Sequence, residues 1–141
     1  MQSFKDSDGN DWHVKVNVRT YRELKNSLDL DLMSFDTEMN DRIMDDPSLI
    51  ADILYICCED QAKSRNITDI QFGEGLTGNS LRDGVNAFLE GIVNFTQNPK
   101  RQEALRKMLK LIMEGEDMIL DEVLKGINAV TLKELGTRSS P

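Results

Sequence analysis

One stretch constrains this chain more than any other: residues 46–62, Asp-Pro-Ser-Leu-Ile-Ala-Asp-Ile-Leu-Tyr-Ile-Cys-Cys-Glu-Asp-Gln-Ala. Asp46 followed by Pro47 and Ser48 marks a helix start, because proline at the first helical position gives up an amide hydrogen that has no intrahelical acceptor anyway. Leu49, Ile50, Ile53, Leu54, Ile56 and Cys57 then recur at three- and four-residue spacing. Their apolar surface is wider than one narrow stripe, so the helix has to be covered on several sides. That makes it the central helix of a small domain. It carries no catalytic constellation.

The chain can supply the cover. Its 141 residues suit about one domain, enough to bury roughly two-thirds of the surface of the unfolded chain. At 39% hydrophobic and 30% charged the composition is that of a globular protein, not a disordered one. No run approaches the roughly 20 apolar residues of a membrane span. The polar start Met1-Gln2-Ser3-Phe4-Lys5-Asp6 does not read as a secretory signal. The only cysteines, Cys57 and Cys58, are adjacent on the central helix and point in different directions, a poor geometry for a bridge. Free thiols in a core suit a reducing cytosol. With His13 as the single histidine, this pair matches no common zinc spacing, and neither a metal nor another cofactor is expected.

Charge is concentrated. Residues 29–60 hold Asp29, Asp31, Asp36, Glu38, Asp41, Asp45, Asp46, Asp52, Glu59 and Asp60 against Arg42 alone, a net −9, leaving +1 for the rest of a chain whose total is −8. Such a field repels phosphates, so nucleic acid is not an expected partner, and it favours a basic one. The plainer reading is a solvated helix face that keeps a small protein soluble.

Before the central helix, residues 3–19 read as a β-hairpin. Trp12, Val14, Val16 and Val18 alternate with polar residues at the period of a half-buried strand. Asp8-Gly9-Asn10 supplies the tight reversal, and Phe4 on the short first strand can reach Trp12. The run Asp6-Ser7-Asp8-Gly9-Asn10-Asp11 has some calcium-loop character but lacks the spacing and the closing glutamate of an EF-hand, so it is a turn. His13 falls on the polar face with no serine, cysteine or acid placed to work with it. Thr20-x-x-Glu23 has the form of a capping box, with Tyr21, Leu24 and Leu28 on one face of the helix that follows. Leu30, Leu32, Met33 and Phe35 form a short apolar anchor. A second short helix spans residues 36–44, with Met39, Ile43 and Met44 inward.

After the central helix, Asn66 can take the left-handed closing conformation. Residues 68–73 start like another capped turn, kept short by Gly73, Gly75 and Gly78. No Lys-Ser or Lys-Thr pair follows these glycines and no hydrophobic strand precedes them, so they form a connector rather than a phosphate loop. From residue 79 or 80 an amphipathic helix runs through Leu81, Val85, Phe88, Leu89, Ile92 and Phe95. Its small-residue strip, Gly84, Ala87 and Gly91, invites close approach by another helix. Asn98-Pro99 opens a region to residue 130 that is either one long helix weakened at Gly115 or two helices in sequence. Its first part is locally basic and could lie against the acidic segment of its own or another copy. Its second part carries an apolar stripe with no further element to cover it. The sequence therefore predicts an α+β fold, mostly α: an N-terminal β-hairpin, then a bundle of about five or six helices. A single domain over 1–132 is followed by a disordered tail over 133–141.

The order of these features is specific: Phe4-x-Asp6-x-x-Gly9-x-x-Trp12-x-Val14-x-Val16-x-Val18, Leu28-Asp29-Leu30-Asp31-Leu32, Asp46-Pro47, Gln61-Ala62, Phe72-Gly73, and Ala87-Phe88-Leu89-Glu90 leading to Asn94-Phe95. Over residues 4–101 it resembles small proteins encoded in the tail-gene neighbourhood of tailed bacteriophages and prophages, the tail assembly chaperones. The shared residues determine a fold and include no chemical motif. The resemblance implies a non-enzymatic protein in the cytoplasm of the infected bacterium, absent from the mature virion. Its members bind the tape measure protein, a long helical chain with exposed apolar stretches, keep it soluble and help tail tube protein polymerise around it. Many occur in a short and a frameshifted long form. On this reading the expected client contacts are Met108, Leu109, Ile112, Met113, Ile119 and Val123, and the seven methionines suit repacking against varied helices. Ordinary core is the plain alternative for each contact. Two other classes remain open: an acidic DNA-mimic or regulatory protein that binds a basic host enzyme, and a structural tail completion protein. The edge strand and the open stripe are both compatible with a homo-oligomer.

Overall fold

The computed structural model of the chain describes residues 2–110, and the fold class is the expected one, α+β and mostly α. The chain falls into two compact units, Met1–Gln102 and Glu103–Pro141. The first contains β1 (Ser3–Lys5), β2 (Asp11–His13), α1 (Val18–Leu28), a 3-10 turn (Leu32–Ser34), α2 (Thr37–Met44), α3 (Pro47–Ser64), α4 (Asp69–Glu74) and α5 (Asn79–Phe95). Helical backbone resumes over residues 99–110. The described part of the second unit is helical, with Glu103 and Lys107 3.5 Å apart. The expected helices beyond residue 110 and the expected tail over 133–141 lie outside the described residues.

The central helix begins and ends where its residues dictate. The Asp46 carboxylate accepts from the Leu49 amide at 3.2 Å and Pro47 occupies the first turn. At the other end Asn66 takes the left-handed conformation (φ 54°). Leu49, Ile50, Ile53, Leu54, Cys57, Cys58 and Ala62 are buried, and α1, α2, α4, α5 and β2 all pack on this helix. Ile56 departs from the expected pattern and is only half-buried. The small-residue strip of α5 works as expected at Gly84, where an added Cβ would lie 2.5 Å from Leu54 Cδ1 of α3. Gly91 admits something else: its Cβ would lie 2.4 Å from Val16 Cγ2, so there α5 meets the segment after β2 and not a helix.

The hairpin is shorter than expected. Phe4 faces Trp12 across two three-residue strands, and the Val14 amide still donates to Gln2 O at 2.9 Å. At Lys15 the amide turns instead to Cys57 O of α3, at 3.1 Å, and the ladder ends. Val14 is fully buried, whereas Val18 is 55% exposed and opens α1. The alternation of valines therefore overshoots β2 by five residues. It overshoots because the capping box sits one turn earlier than Thr20-x-x-Glu23. Asn17 Oδ1 accepts from the Thr20 amide at 3.0 Å and Thr20 Oγ1 accepts from the Asn17 amide at 2.9 Å. In α2, Asn40 is buried with Ile43, while Met39 and Met44 are half-buried. The 68–73 connector proves to be α4, capped reciprocally by Thr68 and Gln71, and it delivers Phe72 to the core.

Side chains of the hairpin loop and of α3 satisfy what the short ladder cannot. Gly9 adopts φ 86° at the reversal, and the Asp6 carboxylate gathers the loop around it. Its oxygens accept from the amides of Asp8 (2.9 Å) and Asn10 (2.8 Å), from Asn10 Nδ2 (3.2 Å) and from Trp12 Nε1 (2.8 Å). On the outer edge of β2, Gln61 accepts from the His13 amide at 3.0 Å and donates to His13 O at 2.7 Å. Arg65 donates to Asp11 O at 2.7 Å and lays its guanidinium 4.6 Å from the centre of the Trp12 ring. One edge of the hairpin is thus closed by a helix.

Gln61→Leu removes both His13 bonds and should cost about 1–2 kcal/mol in urea unfolding; Gln61→Glu, which keeps only the acceptor, should fall between. Equal midpoints for all three proteins would show that the edge is not held there. Burial pushes the Asp6 carboxyl up, but the bonds from Trp12, Asn10 and Asp8 outweigh it and hold the pKa below the ordinary 3.8. A depressed folded pKa means the stabilisation is present above about pH 4 and is lost as pH falls through the folded value. Asp6→Asn should therefore cost about 1–3 kcal/mol at pH 7. The gap should close in acid-unfolding profiles below about pH 3. A gap that is independent of pH would contradict this role.

Candidate functional site: an apolar groove flanked by acids

Two residues apart on a short helix, Phe72 and Ile70 have opposite fates. Phe72 is buried, its ring 4.9 Å from Trp12 and 5.6 Å from Tyr55, both edge-on. A step of two residues turns a helix by about 200°, so fixing Phe72 inward turns Ile70 outward, where it is 71% exposed. Ile70 forms one side of a groove of 280 Å³ lined also by Leu28 of α1, by Ala51, Asp52, Tyr55 and Ile56 of α3, and by Asp69 of α4. Leu28, Ala51, Tyr55 and Ile56 are half-buried, and Asp52 and Asp69 are exposed. The volume lies at the lower bound of about 300–1,000 Å³ for small-molecule sites. The lining is apolar with two carboxylates and no cation. Its apolar lining is suited to receiving apolar side chains.

Much of the acidic segment is employed in folding. Asp31, Asp36 and Asp46 accept from helix-start amides of the 3-10 turn, α2 and α3. Asp31 also accepts from the Tyr21 hydroxyl at 3.1 Å. Arg19 Nη1 reaches both Asp60 oxygens, at 2.9 and 3.0 Å, which holds that carboxyl low and the guanidinium high. Glu59 pairs with Lys63 at 2.6 Å. Asp52, at the groove, makes no ion pair among the described residues.

The remaining candidates from the sequence separate cleanly. Met108 and Leu109 are half-buried on the helical residues 99–110, and Ile112, Met113, Ile119 and Val123 lie outside the described residues. The calcium-like loop is closed by its own chemistry, since both Asp6 oxygens are taken by loop donors and Trp12. Among the described residues no group of three His, Cys, Asp or Glu is placed to hold a metal ion. Cys57 and Cys58 are buried free thiols. Burial pushes Cys57 up, helped by the neighbouring Cys58 and Glu23, and pushes Cys58 up to about 12. The groove was not foreseen from the sequence. The available signal was the pair Ile70 and Phe72, two large apolar residues that a helix as short as α4 must turn in opposite directions.

No family model matches the chain, and no curated protein and no solved structure matches it. No described helix is long and apolar enough to cross a membrane.

Because the thiolate is the reactive form, native Cys57 and Cys58 should react with iodoacetamide at pH 8 at least about a hundredfold more slowly than in urea-unfolded protein. Mass spectrometry checks this. Prompt modification of the native chain would show that α3 opens or that the thiols are activated.

Proposed function

We propose that the protein is a non-enzymatic phage tail assembly chaperone, one that binds and solubilises the tape measure protein and assists tail-tube assembly in the cytoplasm of the infected bacterium. The observation that carries this reading is the groove between α1, α3 and α4, an apolar surface left open on an acidic body. A helical client with exposed apolar stretches needs a surface of this kind, and backbone pairing is not required of it. The reading is supported further by the elements that hold the shared residues. Phe4, Asp6 and Trp12 build the hairpin, Asp46-Pro47 opens α3, and Phe72 locks α4.

Co-expression with the tape measure protein encoded nearby, followed by pull-down at moderate and high salt, tests the reading. Capture that survives high salt and makes the client soluble is the expected outcome, because apolar contacts are not screened. Ile70→Asp should reduce capture at least about tenfold without changing the urea midpoint. Substituting Met108 and Leu109 reports whether the helical residues 99–110 contribute as well. Capture absent, or lost as salt rises, would favour the acidic protein with a basic host partner. Recovery of the chain in purified particles would favour a tail completion protein.

A further inference from the structure

The groove carries information about what fills it. Its floor is Leu28, Ala51, Tyr55 and Ile56, with Ile70 as a projecting wall. A dry cavity of about 150 Å³ takes one benzene-sized group, so 280 Å³ accommodates about two side chains. On one helix face, residues three or four apart sit roughly 5–6 Å from each other, a fitting separation for a pair entering together. All the lining residues lie on or at the ends of helices, so the groove presents no strand edge for an added strand. The two charged residues that line the groove are both acids, and a nearby cation, Arg42, is engaged with Leu28 O at 3.2 Å. Asp52 stands on α3 without an ion pair among the described residues, and the Asp69 carboxylate accepts from the Ile70 amide at 3.0 Å. No lysine or arginine is among the lining residues, and residues 29–60, which take in most of α3, sum to −9.

We infer that this groove receives one face of a partner's α-helix whose apolar stripe is bordered by Lys or Arg, and that it rejects an otherwise equal helix bordered by Glu. The identity of that partner rests on the chaperone reading; the chemistry of the groove does not. An acid at the border of the incoming helix meets Asp52 and Asp69 in a negative field. A lysine or arginine at the same place meets opposite charge and is steered in. Selection by the rim is a form of rejection as much as attraction.

The test uses the full chain and two labelled amphipathic peptides of about 18 residues, identical in a leucine stripe and differing only in Lys or Glu along its borders. Fluorescence anisotropy should give at least about tenfold tighter binding of the Lys-bordered peptide at low salt. At about 1 M salt the preference should shrink to a few-fold while apolar binding persists. Ile70→Asp should weaken both peptides at least about tenfold. Asp52→Asn with Asp69→Asn should keep binding and erase the preference; both variants should keep the parent's circular dichroism and urea midpoint. Equal affinity for the two peptides, or an unaffected Ile70→Asp, overturns the inference. So does concentration-dependent self-association abolished by Ile70→Asp, which would make a second copy the occupant. Tape measure protein captured equally by the parent and Ile70→Asp would sink the groove and leave the chaperone reading standing. Peptide selectivity without tape measure capture would do the reverse.

Discussion

A hairpin of two three-residue strands cannot hold itself together in water, and in this protein α3 holds it. The contact is made of polar groups matched one to one. Gln61 meets both main-chain groups of His13, Arg65 meets Asp11 O, and Cys57 O receives the Lys15 amide. Beneath them Trp12 is almost wholly buried, its indole N–H satisfied by Asp6 and its face covered by Arg65. A tryptophan contributes a large apolar area only if its N–H finds a partner, and Asp6 supplies one while it also ties the loop. Without α3 the outer edge of β2 would lose its partners, leaving α5 on β1 and Phe72 on Trp12 to cover the hairpin.

From that node the rest of the first unit follows. Trp12 takes the edge of Phe72, which fixes the rotation of α4 about its axis. The same rotation leaves Ile70 outside and opposite Tyr55 and Ile56 of α3. The groove is a consequence of how the core was completed, and its outline is as rigid as the packing of Phe72. Gly84 lets α5 approach Leu54 on another side of α3, and Gly91 lets it approach Val16. With α3 enclosed on those sides, the half-buried Ile56 marks where cover is missing.

Local signals made much of this legible in the sequence. Asp46-Pro47, Asn66, the Thr68 cap and the start of α5 at Asn79 each depend on residues within a turn of one another, and each stands where the local chemistry puts it. What failed was long-range or ambiguous. The valine alternation through Val18 does not reveal that the ladder loses its partner at Lys15, because the competing acceptor is Cys57 O, about forty residues away. Asn17 and Thr20 both look like caps, and only the end of the strand decides between them. Ile56 belongs to a helical pattern that reads as core throughout, and its half-exposure depends on where α4 lands. The groove was invisible for the same reason: its walls come from three elements whose arrangement is set by Trp12 and Phe72.

The two parts of the groove act with different strength and reach. Fully burying an aliphatic side chain is worth about 1.5–3 kcal/mol, so the floor supplies the larger share of what the groove can contribute. An exposed ion pair at the rim is worth about 0–1 kcal/mol, too little to hold anything. The rim works by a difference: it adds a little for a cation and costs several times more for an acid that must be desolvated between like charges. On the proposed chaperone reading both properties are needed, because a floor alone would accept apolar helices indiscriminately, and a rim alone would release a client as ionic strength rises. The helix starts explain why the surrounding surface is already negative. Asp31, Asp36 and Asp46 are required where they stand to satisfy backbone amides, and they keep their charge while doing so. Folding thus contributes part of the field at no further cost, and Asp52 and Asp69 only have to aim it at the groove.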